Sequence, residues 1–400
     1  MAIIFAYQSL LMSEFNFGRI ITGIKQSNFY DDFFLTVNGT VYSDILEIRY
    51  EFLDVSRDLY FAGSEITVDN LGNVSGGNVT GLMDYFWNGS GWIASWSIVD
   101  ISYNAVDLYG SFKTTETSDD HAILQQILSG ADDVSGSESV DIILAYGGND
   151  VVLGGDGDDT MDGGSGTDTA RFSGSISQYR VGYSGNIWMV RGPDGLDTLS
   201  NFENIQFGAS NPSSIDTLIA MGSADELISV NRNGQNTYVI PDFYSGAVSY
   251  LKYQMLGSVG ADVVGGTSKS DFFNLLGGDD AVNGAGGDDV LDGGVGSNFL
   301  TGGTGRDVFY LDGRDGGTTW ATITDWEAGE ELSLWGWQKD KSVANWTTSD
   351  GAPGWQGVTL HADIDGDGVI ETSVTWTGLA KAQLPTAIDA FDGLLWFKTI

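Results

Sequence analysis

The chain has 400 residues, and its 55 acidic side chains stand against 17 lysines and arginines, a formal net charge of -38. Such a surface repels nucleic acid and anionic membrane, so neither is an expected partner. Cysteine is absent, which excludes disulfides, zinc ribbons and a thiol nucleophile, and no run of about 18 apolar residues predicts a spanning helix.

Residues 1–128 hold strand-like runs such as "FFLTVNGTVY", "DLYFAGSEITV" and "GWIASWSIVDISY", separated by turn signals. They predict a layered, β-sandwich-like N-terminal domain. The first residues carry no positive charge before Arg19 and read as a strand, not as a cleaved signal. An acidic start, an Ile/Leu stripe and a following glycine predict a short helix over 119–130 that leads into the next segment.

From residue 129 a nine-residue period takes over. Asp132, Asp141, Asp150, Asp159 and Asp168 are nine apart, and two positions after each stand Val134, Ile143, Val152, Met161 and Ala170. A second block repeats this with Asp262, Asp271, Asp280, Asp289, Asn298 and Asp307, followed by Val264, Phe273, Val282, Leu291, Leu300 and Phe309. One unit fits a glycine-rich turn of six residues plus a strand of three. Glycine tolerates the positive φ of such turns, and the apolar residue is the inward side chain of the strand. Two units make one coil of a parallel β-roll with the aspartates stacked along its edges, ~5 Å apart. Carboxylates at that spacing repel, and an all-oxygen turn suits Ca²⁺ with its 6–8 ligands.

The stretches "GGDGDDTMD", "GGSGTDTAR" and "GAGGDDVLDGGVGSNFLTGGTGRDVFY" resemble the G-G-x-G-x-D-x-U-x repeat of RTX, or hemolysin-type, calcium-binding proteins. The resemblance implies an all-β fold with two parallel β-rolls, residues 129–171 and 261–312. It also implies that the turn residues of one unit and of the unit two along sandwich each ion. The metal set is then Asp132, Asp141, Asp150, Gly154, Asp159, Gly163 and Asp168 in the first roll. In the second it is Asp262, Asp271, Asp280, Gly284, Asp289, Gly293, Asn298, Gly302 and Asp307. That pairing implies roughly three ions in the first block and about four in the second. Some turns depart from the pattern: Ser137, Glu138 and Ser139 precede Asp141, Ala145 and Tyr146 take the leading glycine positions before Asp150, Thr267, Ser268 and Lys269 precede Asp271, and Leu275 and Leu276 take the leading positions before Asp280, which predicts weaker sites at all four.

Residues 172–210 alternate like antiparallel strands and resemble a linking module common after RTX blocks, here "DGLDTLSNFENIQF". Residues 211–260 read as a β or mixed linker. In the C-terminal segment, 313–400, "ATITDWEAG" resembles the end cap of an RTX roll, with Trp320, Trp326, Trp335 and Trp337 as its expected core. "DIDGDGVIE" offers Asp363, Asp365 and Asp367 as a partial EF-hand-type calcium loop whose twelfth position is Val374, not glutamate.

The chain has two histidines, His121 and His361, and neither H-E-x-x-H nor G-x-S-x-G occurs. On that ground no enzyme is expected. The resemblance implies export through type I secretion machinery, directed by the C-terminal tail, and an extracellular or cell-surface location. Calcium is then the cofactor, and a structural layer, filament or matrix protein is the first expected role. The alternatives are a calcium-dependent adhesin or glycan binder, with Trp87, Trp92 and Trp96 as stacking candidates, and a hydrolase with an unrecognised N-terminal site.

Overall fold

The computed structural model describes residues 2–6, 12, 24–30, 35–37, 40–52, 55–71, 73–114, 117–314, 318–391 and 393–398. They gather into two compact units, Met1–Ala224 and Asp225–Ile400. The chain is mostly β, and each unit contains a right-period parallel roll.

In the first unit the long strands Asp44–Phe52, Val55–Val68, Val74–Trp87 and Trp92–Asn104 form an antiparallel meander. The strand Ile3–Ala6 is the hinge between two kinds of sheet. It pairs antiparallel with Trp92–Asn104 on one side and parallel with Asp133–Ser135 on the other. The meander therefore continues directly into one face of the roll, so the roll's first edge is paired rather than open. The layer against the meander is helical. Ala105–Ser111, capped by the Asn104 side chain, and Thr117–Ile127 carry Leu108, Leu124 and, just beyond them, Phe112 and Leu128 into the same core as Phe61 and Val134.

The roll itself follows from the eighteen-residue coil. Val152 pairs with Val134, and Met161 with Ile143, so every inward apolar residue lies above its counterpart one coil away. Val134, Ile143, Val152, Met161 and Ala170 are all fully buried. The linking module extends this ladder. Its strand Gly195–Ser200 lies parallel on Thr160–Asp162, and Asn204–Phe207 lies parallel on Thr169–Phe172. Leu199 and Ile205 thereby become the next inward rungs, and both are fully buried. The antiparallel hairpin Arg180–Ser184 and Ile187–Gly192 is an insertion between two coils of the roll.

The second unit repeats the plan. Parallel strands Asp262–Gly265, Ala281–Asn283 and Gly296–Thr301 form one face, and Tyr253–Leu256, Asp271–Asn274, Val290–Asp292 and Val308–Asp312 the other. Antiparallel strands close both sheets. Ile228–Arg232 covers the start of one, while Gly357–Asp363 and Val343–Asp350 finish it, and Gly393–Lys398 finishes the other. The centre of this cap is Trp376, fully buried, stacked on Trp346 at 6.0 Å and edge-on to Phe397 at 5.4 Å. Of the tryptophans expected there, Trp337 is buried and Trp320, Trp326 and Trp335 are half-buried.

Candidate calcium-binding turns

One hydrogen bond recurs along both rolls. From the second coil of each roll onward, the turn aspartate or asparagine uses Oδ1 to accept the main-chain N–H of the aspartate eighteen residues earlier. The distances are 2.8 Å from Asp132 to Asp150, from Asp141 to Asp159 and from Asp150 to Asp168. In the second roll they run from 2.7 to 2.9 Å, from Asp262 to Asp280, Asp271 to Asp289, Asp280 to Asn298 and Asp289 to Asp307. The acid is thus first a structural rung, because it ties one coil to the next through the backbone.

The second carboxylate oxygen distinguishes the turns. Oδ2 of Asp132, Asp150, Asp159, Asp168, Asp280, Asp289 and Asp307 is buried and has no hydrogen-bond partner. A buried carboxylate oxygen left so costs at least ~1–3 kcal/mol. Seven such atoms in register call for a cation. The leading glycines explain where these oxygens lie. A Cβ on Gly154 would stand 2.3 Å from Asp159 Oδ2, one on Gly284 2.2 Å from Asp289 Oδ2, and one on Gly302 2.4 Å from Asp307 Oδ2. On Gly163 it would meet Asn201 O at 2.3 Å and Asp168 Oδ2 at 2.9 Å. Each glycine therefore lets the carboxylate fold back over its own turn, among main-chain carbonyls. This donor set, all oxygen and anionic, fits Ca²⁺.

Three turns are closed without an ion. Asp141 Oδ2 accepts the Ser137 N–H at 2.6 Å, Asp262 Oδ2 the Ser258 N–H at 2.6 Å, and Asp271 Oδ2 the Thr267 N–H at 2.8 Å. In each the hydroxyl of that Ser or Thr also accepts the N–H two residues on. Asp262 has in addition the Arg232 guanidinium on its Oδ1 at 2.5 Å. Asn298, expected to lend an oxygen, uses it on the Asp280 N–H and turns its Nδ2 to Gly294 O at 3.1 Å. The Gly293 turn thus presents an N–H donor to its own interior. The unpartnered oxygens number four in the first roll and three in the second, the reverse of the ion distribution the repeat pairing implies.

The electrostatics cut across this division, since burial also pushes Asp271, in a closed turn, up to about 6. Burial, with Asp168 and Asp132 nearby, pushes Asp150 up to about 6. Burial, with Asp271, Asp307 and Asp288 around it, pushes Asp289 to about 9. Burial would also raise Asp262, but Arg232 and the Ser258 N–H bring it below the ordinary value.

The loop between Gly357–Asp363 and Thr372–Thr377 gathers Asp363, Asp365 and Asp367 as expected, and adds Glu371. One oxygen of each of the four lies within 4.8 Å of the others. Val374 is a buried strand residue, so the closing acid comes at the ninth loop position rather than the twelfth. Asp363 is already tied by the N–H groups of Gly366 and Gly368 at 2.6 and 2.9 Å, and Glu371 by that of Ile364 at 2.6 Å.

Residues 129–170, 256–291 and 283–313 match the RTX calcium-binding nonapeptide repeat, in four copies. The chain carries RTX calcium-binding nonapeptide repeats. No curated protein matches it. Nine chains of solved structures match, among them the extracellular lipase LipA from Serratia marcescens, at 17% identity and a TM-score of 0.24. That likeness covers 64% of this chain, which spans 38% of the length of the lipase. The expectation that the chain is not an enzyme is corrected by this finding, since a protein it matches is itself an enzyme. The absence of H-E-x-x-H and G-x-S-x-G excludes two motifs and not catalysis, while a likeness at that TM-score assigns no reaction and no catalytic residue. Among the described residues no helix is long and apolar enough to cross a membrane.

Proposed function

We propose that this RTX protein is exported by type I secretion and completes its two rolls on extracellular calcium. The observation that carries the reading is the register of seven buried, unpartnered Oδ2 atoms, four of them folded over a leading glycine. Calcium is what these residues would hold, and it supplies charge neutralisation between coils. The chain's own residues supply the rest: the Oδ1 rungs set the register and the inward apolar ladder fills the interior. Binding only the folded form, calcium stabilises it by mass action. Titrating calcium into chelated protein should give a cooperative gain of β circular dichroism; identical spectra in chelator and in calcium would refute the reading.

For the folded object we propose a cell-surface or matrix component that assembles with its own kind. Electron microscopy before and after calcium tests this, with ordered sheets or fibres expected and dispersed monomers counting against it. A second reading, a glycan-binding adhesin, draws support from the tip of the hairpin Val74–Trp87/Trp92–Asn104. There Trp87 and Trp92 are exposed, edge to face at 5.6 Å, with the Arg49 guanidinium 5.3 Å from the Trp92 ring. Trp96, the third candidate, is half-buried.

A further inference from the structure

Aromatic rings stand on the outer surface of the second roll, away from its core. On the sheet that runs from Tyr253–Leu256 to Gly393–Lys398, the inward side chains are Phe273, Leu291, Phe309, Leu332 and Phe397. Strand alternation puts Phe272, Asp292, Tyr310, Trp335 and Trp396 on the opposite face, and all five are half-buried.

Two of these rings already hold a cation of the chain. Arg314 stands 5.4 Å from the centre of the Trp335 ring, and Asp312 fixes its guanidinium, accepting from Nε at 2.8 Å. Lys398 Nζ lies 4.8 Å from the centre of the Trp396 ring and pairs with Glu331, which also accepts the Trp396 Nε1–H at 3.1 Å. Each set combines one ring, one carboxylate and one cation.

A third ring and carboxylate repeat the arrangement beside a hollow. Asp292 lies opposite Tyr310 on neighbouring strands, as Asp312 lies opposite Trp335. Phe272 comes from the strand on the other side of Asp292. These three border a hollow of ≈ 360 Å³, whose turn side is formed by the exposed Leu276 and Val295. The strands of Phe272 and Tyr310 are ~10 Å apart, so a charge midway between them lies ~5 Å from each. That is within the ~6 Å reach of a cation–π contact. A chain of net charge -38 favours a cationic ligand and repels an anionic one. The rings and aliphatic walls suit a cation with apolar surface of its own, where a bare calcium ion would want about 6–8 oxygens.

We infer that this hollow binds an organic ammonium group, quaternary or alkylated, with Phe272 and Tyr310 as its walls and Asp292 as its counter-charge. The site uses none of the turn aspartates. It meets the calcium reading at one point: the strands Val290–Asp292 and Val308–Asp312 follow the open turns at Asp289 and Asp307, so calcium should be needed to build it.

Calorimetric titration of choline into the full chain, in saturating calcium, tests the assignment. Choline should bind, and 3,3-dimethylbutanol, its neutral carbon isostere, should bind at least about tenfold more weakly. Asp292→Asn should weaken choline at least about tenfold and leave the roll folded. Asn274 shows why: its Oδ1 accepts the Leu276 N–H at 3.1 Å, as Asp292 Oδ1 accepts the Gly294 N–H at 2.9 Å. Tyr310→Leu should weaken binding similarly, and Tyr310→Phe should restore it. Retention on phosphatidylcholine vesicles would assign the ammonium to a lipid headgroup, and binding of free choline alone would assign it to a soluble ligand. No choline binding by the calcium-loaded protein would overturn the site. So would equal binding of choline and its neutral isostere, or unchanged binding in Asp292→Asn. Equal choline binding in chelator and in calcium would leave this site standing and count against the calcium reading of the coils beneath it.

Discussion

Replacing Asp289 with asparagine should change stability with opposite signs in the absence and presence of calcium. Asp289 is fully buried, lies between Asp271 and Asp307 on one edge of the second roll, and has its carboxyl pushed up to about 9. At pH 7 without metal, that group must hold a proton or a poorly solvated charge. The roughly three pH units between its ordinary value and 7 correspond to about 4 kcal/mol, at ~1.4 kcal/mol per unit. Water at the turn screens part of this, so about 2 kcal/mol is the expected relief. Asparagine should keep the rung, because Asn298 already does so in the neighbouring stack and adds an Nδ2 bond to Gly294 O. With calcium the same change deletes an anionic ligand and should weaken binding by at least about tenfold. The assay is a urea melt of the full chain followed at residues 262–312 by hydrogen exchange, run in chelator and in calcium. Asp289→Asn destabilising the roll equally under both conditions would refute the view that repulsion opposes folding and calcium cancels it.

Other outcomes follow from the same geometry. Chelated protein should hold more roll structure at pH 4 than at pH 8. The carboxyls of Asp150, Asp159 and Asp307 at about 6, Asp197 at about 7 and Asp289 at about 9 are raised chiefly by burial. A raised carboxyl means the folded chain keeps protons that the unfolded chain releases, so their stabilisation is complete below about pH 4 and is lost as pH rises through 6 to 9; a pH-independent circular dichroism signal in chelator would contradict this. Thr267→Gly removes the hydroxyl that bonds Asp271 and accepts the Lys269 N–H, and should cost the metal-free second roll about 1–2 kcal/mol in a urea melt. Gly284→Ala places a methyl 2.2 Å from Asp289 Oδ2 and 2.6 Å from Gly302 O, and calorimetry should show fewer calcium ions bound. Trp87→Ala together with Trp92→Ala should leave the melting temperature within a few degrees of the parent, since both rings are exposed, and should remove any signal on a glycan array if the adhesin reading holds.

The coil was legible because its period is local: nine residues fix one turn and one strand, and the inward positions Val134 to Phe309 can be counted off without knowing the fold. What the period could not reveal was which acids need an ion, because that depends on the partner of one oxygen. Ser137, Ser258 and Thr267 decide it by presenting an N–H four residues before the aspartate, a signal visible in the sequence as a Ser or Thr there and not as a missing glycine. Tyr146, Leu276 and Ala285 hold that position at positive φ before Asp150, Asp280 and Asp289, whose Oδ2 atoms stay unpartnered, so the turns expected to be weaker at Asp150 and Asp280 are open like the others. The linking module hid its kinship with the roll for a different reason. Twenty inserted residues break the register, although "GPDGLDTL" retains the spacing of glycine, aspartate and inward leucine. Glu371 was missed because the loop was measured against a twelve-residue frame. The junction through Ile3–Ala6 had no local signal at all, since it pairs residue 3 with residue 133.

The closed turns also bear on how the rolls can fold. In the second roll the first turn on each edge, at Asp262 and at Asp271, has both carboxylate oxygens engaged by the chain itself. The unpartnered oxygens begin one coil later, at Asp280 and Asp289. A stack of coils gains stability mainly from nearest neighbours, so a first coil that needs no ion gives the later, repelling coils something to add to. Neighbouring strands support that coil from outside, the antiparallel Ile228–Arg232 on one sheet and the parallel Tyr253–Leu256 on the other. Calcium then acts on propagation and not on the seed. On this argument the metal-free second roll keeps its first coil and loses its later ones, so hydrogen exchange in chelator should show protection falling between residues 262–274 and 281–312. Uniform loss of protection across both segments would show that the seed, too, depends on the ion.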